Sequence, residues 1–411
     1  MSVNPNKPRE FDAVLSGQVA PHSNAVVLGG IEGVKIRLNS SLEQAQLSAL
    51  HEALKYGEVG LDLVIQSLDS KSVRLKRAAY NILKNNQLAT KIQEELKNRR
   101  YEFFACLRTL NGHASKVNGI CLTLDGSTLY SGAEDSSINA WDWRTGKFKR
   151  ICNPQPLDYR FPATFLQSSS DGEEIVIAYR GQAIETRTII DARRIILEDS
   201  GLHHSFAISQ DGKTIFTDSY SGTRRIIACN FRSGKIKYHL PENSHPVFAI
   251  VTSLDGKTLF NGNANFKINI WDIQTAKITR TLTGHSFLVT ALCLSRDGNT
   301  LFSGSGDYTI KIWDWRQGKL KSTLTGHSYG VNSILLSPDG LTLFSASNDK
   351  TIKIWNWQTG ELINTLEAHL GNVSSIAISP DGNYLFSASH DNTIKVWGLE
   401  KIINSLSKYL T

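Results

Sequence analysis

The chain has 411 residues, 40% hydrophobic and 20% charged, with a formal charge of +7. That composition excludes global disorder and supplies enough apolar material for several cores. The basic excess is diffuse, with no block of five or six like charges, which speaks against a nucleic-acid partner. Five widely spaced cysteines, Cys106, Cys121, Cys152, Cys229 and Cys293, contain no CxxC pair; this argues against a disulfide framework or zinc site and for a reducing compartment. No stretch approaches 18 uninterrupted apolar residues, and the first thirty lack a signal-peptide core. No membrane span is expected, and a cytoplasmic location is.

Residues 1–39, broken by Pro5, Pro8, Pro21, Gly17, Gly29, Gly30 and Gly33, predict an extended or irregular lead. The run Gly29-Gly30-Ile31-Glu32-Gly33 lacks the Gly-Lys-Ser/Thr ending of a phosphate loop and places Glu32 where phosphate would be repelled. From 40 to 100 the apolar period becomes helical. Ser40 followed by Glu43 reads as a capping box, opening a helix lined by Leu42, Leu47, Leu50 and Leu54 to about Lys55. A second helix is expected over Val59 to Leu68, a third after Ser72 with Val73, Ala78, Ala79, Ile82 and Leu83 inward, and a fourth over about Leu88 to Lys97. The string Asp69-Ser70-Lys71-Ser72-Val73-Arg74 with Ala78-Ala79 resembles a HEAT-type helical repeat, which implies a short stack that docks on the rest of the chain or on a partner.

Asp-Gly pairs then recur at Asp125, Asp171, Asp211, Asp255, Asp297, Asp339 and Asp381, at a spacing near 42 residues. Each sits between short runs rich in β-branched and aromatic residues, so the units are strands joined by turns. Small sheets at this period hide their edges best by packing radially around an axis. The expected fold is an all-β seven-bladed β-propeller over 101–398, preceded by a small α-helical region and followed by a tail over 399–411. The last unit supplies only three strands, while 106–110 aligns with the fourth strand Lys319 to Leu324, so 106–110 should pair with the last blade and close the ring.

Gly112-His113, Gly284-His285 and Gly326-His327, with Trp141-Asp142, Trp271-Asp272 and Trp313-Asp314, recur at constant offsets; Ala368-His369, Trp355-Asn356 and Trp397-Gly398 are near-matches. Residues 106–398 thus resemble a WD40-repeat β-propeller protein of bacterial type. Four copies place His, Ser, Asp and Trp at one spacing: His113, Ser131, Asp135, Trp141; His285, Ser303, Asp307, Trp313; His327, Ser345, Asp349, Trp355; His369, Ser387, Asp391, Trp397. A hydrolase needs one nucleophile beside one oxyanion site, whereas four equivalent sets need a reason internal to each blade. Hydrogen-bond satisfaction is that reason, and the resemblance implies the same structural tetrad. In blade 4, Asn261 and Asn265 stand for Ser and Asp and His245 is displaced, leaving its network in doubt; Arg187-Thr188 and Cys229-Asn230 replace Trp-Asp in blades 2 and 3.

No catalytic residue, metal ligand or cofactor site is assigned. The reading is a non-enzymatic interaction scaffold or adaptor for protein partners, bound through the top face, the N-terminal helices or the basic blades 2 and 3. Candidate contacts are Phe287, Leu288, Tyr329 and Leu370 in the loops leading into the blades, and Glu134, Asn348 and His390 beside the turn aspartates. Arg180, Arg187, Arg193, Arg194, Arg224, Arg225, Arg232, Lys235 and Lys237 gather on blades 2 and 3, either as the solvated surface of degenerate repeats or, through Arg224 and Arg225, as a surface for an acidic or phosphorylated peptide. The alternatives are a regulatory subunit of an enzyme complex, and a ligand sensor or enzyme using the central channel. The channel reading needs inward polar groups, but first strands such as Ala291-Leu292-Cys293-Leu294 are apolar.

Overall fold

The structure, a computed structural model, describes residues 30–84, 96, 99–152, 163–168, 174–179, 184–188, 194–196, 205–220, 224–241, 245–367 and 369–399. The chain divides into a helical unit ending at Phe103 and a β unit over Phe104–Leu399.

The helical unit holds α1 (Gly30–Leu38), α2 (Glu43–Ala53), α3 (Gly57–Gln66) and α4 (Val73–Lys84). Helix α1 corrects the expectation of an irregular lead over its last residues. Gly30 starts it at φ 69°, Ile31 and Val34 bury one stripe, and Arg37 pairs with Glu52 of α2 at 2.6 Å; the glycines that suggested a loop conceal this stripe in the sequence. The capping box does not form. Leu42 is the N-cap without a side-chain bond, and Ser40 Oγ instead accepts from the Leu42 N–H at 3.1 Å. Leu42 is therefore 69% exposed, and Ala49, Leu50 and Ala53 provide the buried face. Ser72 does cap α4, accepting from the Leu75 N–H at 3.3 Å, and Ala78, Ala79, Ile82 and Leu83 are buried. A side chain at Gly60 would lie 1.7 Å from the Ala53 carbonyl oxygen, so α2 and α3 meet closely only because this position is glycine. The expected fourth helix lies outside the described residues except for Leu96, which is helical and buried. Residues 1–29 and the tail beyond Leu399 lie outside them as well.

Seven four-stranded antiparallel sheets form the β unit among the described residues. Six use consecutive strands, over 117–152, 163–196, 206–239, 247–282, 289–324 and 331–367, and are numbered here as blades 1 to 6. Blade 7 joins Val373–Ile378, Tyr384–Ser389 and Thr393–Leu399 to Phe104–Asn111, which comes from ahead of blade 1. Its register runs from Phe104 opposite Leu399 to Asn111 opposite Thr393.

Each sheet buries apolar side chains against the next. Phe302 and Ile312 of blade 5 meet Ile334 and Trp355 of blade 6, Val176 and Ala178 of blade 2 meet Phe206 and Ile215 of blade 3, and Phe386 and Val396 of blade 7 meet Leu129 and Trp141 of blade 1. The first strands lie against one another and are stitched by side chain to backbone bonds. Thr290 donates to the Val331 carbonyl, Asn332 to Val373 at 2.9 Å, Ser374 to Val117 at 2.6 Å and Asn118 to Ala163 at 3.1 Å. The fold is a β-propeller.

Candidate functional site

The quartets are hydrogen-bonded chains inside single blades. In blade 5 the Trp313 indole N–H donates to Ser303 Oγ at 2.8 Å, Ser303 lies 2.7 Å from His285 Nε2, and His285 Nδ1 lies 2.7 Å from Asp307. An indole can only donate and a carboxylate only accept, so Trp313 donates at one end of the chain and Asp307 accepts from the His285 Nδ1–H at the other. Blade 6 repeats the chain through Trp355, Ser345, His327 and Asp349 at 2.9, 2.7 and 2.7 Å. Blade 7 repeats it through Trp397, Ser387, His369 and Asp391 at 2.8, 2.7 and 2.8 Å. The three serines are fully buried under their indoles, with no surface from which to attack a substrate.

The aspartates anchor the lead-in loops. Asp307 accepts from the Ser286 N–H at 3.0 Å as well as from Thr309 Oγ1 at 2.7 Å. Burial opposes its ionisation, yet the bonds from His285, Thr309 and Ser286 outweigh it and hold the carboxyl well below the usual carboxylate range. Asp349 and Asp391 are held down in the same way.

Two blades vary the chain. In blade 1, Ser137 stands between histidine and carboxylate: His113 Nδ1 is 2.9 Å from Ser137 Oγ, which donates to Asp135 at 2.5 Å, while Nδ1 and Asp135 are 3.9 Å apart. Burial pushes the His113 pKa down to about 4 against the pull of Asp135, and Arg150 adds to the shift. In blade 4 half of a network survives, because Trp271 donates to Asn261 Oδ1 at 2.6 Å and Asn261 donates to Asn263 at 2.5 Å. Asn261, which stands at the serine position in the sequence, thus serves as the indole's acceptor in its place.

The lead-in loops and the turns after the second strands share one end of the ring. There Phe287 is 47% exposed, Tyr329 58% and Leu370 85%. Leu288 is half-buried, and its carbonyl accepts from the Gly306 N–H at 2.9 Å. Asn348 is engaged by Asn332 Nδ2 at 2.7 Å, Glu134 lies 3.8 Å from Lys116 Nζ, and His390 is half-buried with its pKa lowered, first by burial and then by Lys116. Two further residues belong to this surface. Phe266 stacks on Phe287 with centroids 5.7 Å apart, and Tyr308 meets Tyr329 at 6.0 Å, each pair bridging consecutive blades. Both turn residues have positive φ, 69° and 73°, a conformation disfavoured for bulky side chains. An aromatic immediately after the turn Asp or Asn was the available sequence signal.

On the basic blades Arg225 is exposed and Arg224 half-buried, while Lys237 Nζ donates to the Lys213 carbonyl and Thr214 Oγ1. Arg180 and Arg193, and the side chains of Arg187 and Arg194, lie outside the described residues. Among the described residues no group of three or more His, Cys, Asp or Glu is placed to hold a metal, and no helix is long and apolar enough to cross a membrane.

Residues 104–142, 276–314, 318–356 and 360–398 match the family described as WD domain, G-beta repeat. These stretches are WD40 repeats. Each spans the fourth strand of one sheet and the first three of the next, so the repeat unit is offset from the blade by one strand. The chain is 29% identical over 175 residues to rat apoptotic protease-activating factor 1 and 26% over 167 residues to mouse cilia- and flagella-associated protein 57, covering 41% of this chain and 13% of either relative. It is also 26% identical over 176 residues to WD repeat-containing protein SL1-17 of Schistosoma mansoni, covering 42% of this chain and 56% of that one. These are animal proteins, so a bacterial type remains an expectation. The crystal structure of the WD40 β-propeller domain of Doa1 is similar at a TM-score of 0.64 and 20% identity, covering 72% of this chain and 97% of that one, a likeness of fold alone.

Proposed function

We propose that this chain is a non-enzymatic scaffold that binds protein partners in the cytoplasm, with seven blades closed by the strand Phe104–Asn111 acting as one rigid platform. One observation carries the reading: Phe266, Phe287, Tyr308, Tyr329 and Leu370 are exposed on a single end of the ring. Aromatic anchors dominate interface energy, and Phe266 and Tyr308 occupy a turn position, also at positive φ, where other blades carry Ser136, Lys350 and Asn392. The loops that carry Phe287, Tyr308, Tyr329 and Leu370 are pinned by the buried quartets, so little of their ordering entropy is lost on binding. The WD40 repeats and the propeller relatives support the same reading. A separate helical unit with its own core favours a variant in which the helices hold an enzyme while the ring recruits its target.

The test is photo-crosslinking of the full chain in its native cell, with the reactive side chain at Tyr329 or at Leu124, which is exposed beside the Asp-Gly turn of blade 1. Tyr329 should capture a recurrent partner that Leu124 does not. Equal capture from both positions, or none from Tyr329, would defeat the assignment of this end.

A further inference from the structure

Between blades 3 and 4 the repeat loses a tryptophan. In blades 1, 5 and 6 the residue two places after the quartet indole is Trp143, Trp315 or Trp357. Each lies edge-on to a phenylalanine of the preceding blade: Trp143 to Phe386 at 5.1 Å, Trp315 to Phe260 at 5.0 Å and Trp357 to Phe302 at 5.1 Å, with interplanar angles of 73°, 83° and 84°. Each ring N–H also donates to the glycine carbonyl of its own Asp-Gly turn, Gly126 at 3.1 Å, Gly298 at 2.9 Å and Gly340 at 2.9 Å. The socket therefore has an aromatic wall and a carbonyl acceptor. Phe231 and Leu399 stand at this position in blades 3 and 7, and Phe231 is buried there.

Blade 4 keeps both halves of the socket, Phe216 from blade 3 and its own Gly256, but offers Ile273 in place of the indole. A cavity of about 400 Å³ opens beside it, lined among others by Phe216, Tyr238, Thr252, Leu254, Gly256 and Ile273. That volume falls within the range of small-ligand pockets. Among the described residues, neither the Gly256 carbonyl nor the Tyr238 hydroxyl has a hydrogen-bond partner. The nearby carboxylates are already engaged within their own turns, Asp211 by Ser209 at 2.6 Å and Asp255 by Ser253 at 2.5 Å.

We propose that this cavity is a receptor site for an indole ring presented by a tryptophan of a protein partner. The ring would lie edge-on to Phe216 and donate its N–H to the Gly256 carbonyl, as the three internal tryptophans do in their own sockets. The scaffold reading enters only through the source of the ring; the cavity's chemistry comes from comparing blade with blade.

The experiment titrates indole into the full chain and follows the Ile273 and Leu254 methyl groups by NMR. Saturable shifts at both are expected. 1-Methylindole, which cannot donate, should bind roughly three- to tenfold more weakly, the worth of one hydrogen bond. N-acetyltryptophanamide should bind at least as well as indole, and Ile273→Trp, which fills the socket from within, should abolish the shifts. Absence of saturable shifts with indole would overturn the site, and undiminished binding in Ile273→Trp would overturn its location. Equal affinity for 1-methylindole would overturn the Gly256 contact whether or not the variant folds. Exclusion of N-acetyltryptophanamide while indole binds would overturn the partner source and leave the scaffold reading untouched.

Discussion

Ser303 shows how one hydroxyl holds a blade together. It accepts from a buried indole and bonds a buried imidazole, so Ser303→Ala strands two polar groups at once. A loss of about 1–3 kcal/mol is expected, readable in urea unfolding as a lower midpoint at unchanged slope. In blade 1, His113 couples stability to pH. His113 has a folded-state pKa near 4 against an ordinary 6.5, so between these values the unfolded chain takes up a proton that the folded one refuses. Stability is full above pH 6.5 and falls as the pH drops toward 4; below that, the depressed aspartates Asp307, Asp349 and Asp391 continue the decline. Melting temperatures should follow this course, and His113→Asn should melt lower with a shallower slope between pH 6.5 and 4.

At the scale of elements, the decisive strand is Phe104–Asn111. It covers the edge of Thr393–Leu399 that would otherwise be open to solvent and to other chains. Deleting 101–111 should give a chain that aggregates or melts well below the parent in a thermal scan; an unchanged melt would refute its role in closure. The offset of the WD40 repeat against the sheets makes this strand legible in the sequence, since 104–142 begins with a fourth strand that has no first three ahead of it. The quartets were equally legible because their spacing is constant. Helix α1 was not, because its glycines masked Ile31 and Val34. The capping box at Ser40 failed because a local motif does not fix where a helix begins when Ala49, Leu50 and Ala53 decide the packing. The pairs Phe266–Phe287 and Tyr308–Tyr329 were half legible: the loop partners stood out as bulky loop residues, but their neighbours lie across a blade boundary that no local pattern crosses.

In the whole molecule, what makes the ring rigid is distinct from what the ring presents. Buried polar chains lie inside blades, apolar layers lie between them, and exposed rings gather at one end. The direct test is to compare partner affinity with unfolding midpoint in two full-length variants, using the partner that crosslinks at Tyr329. Ser303→Ala should unfold more easily yet bind with a Kd within about twofold of the parent. Phe287→Ala combined with Tyr329→Ala should keep the parental midpoint and raise Kd by at least about tenfold, the cost of losing one or two aromatic anchors. The account is contradicted if the double variant binds like the parent, or if Ser303→Ala loses binding while its midpoint stays put.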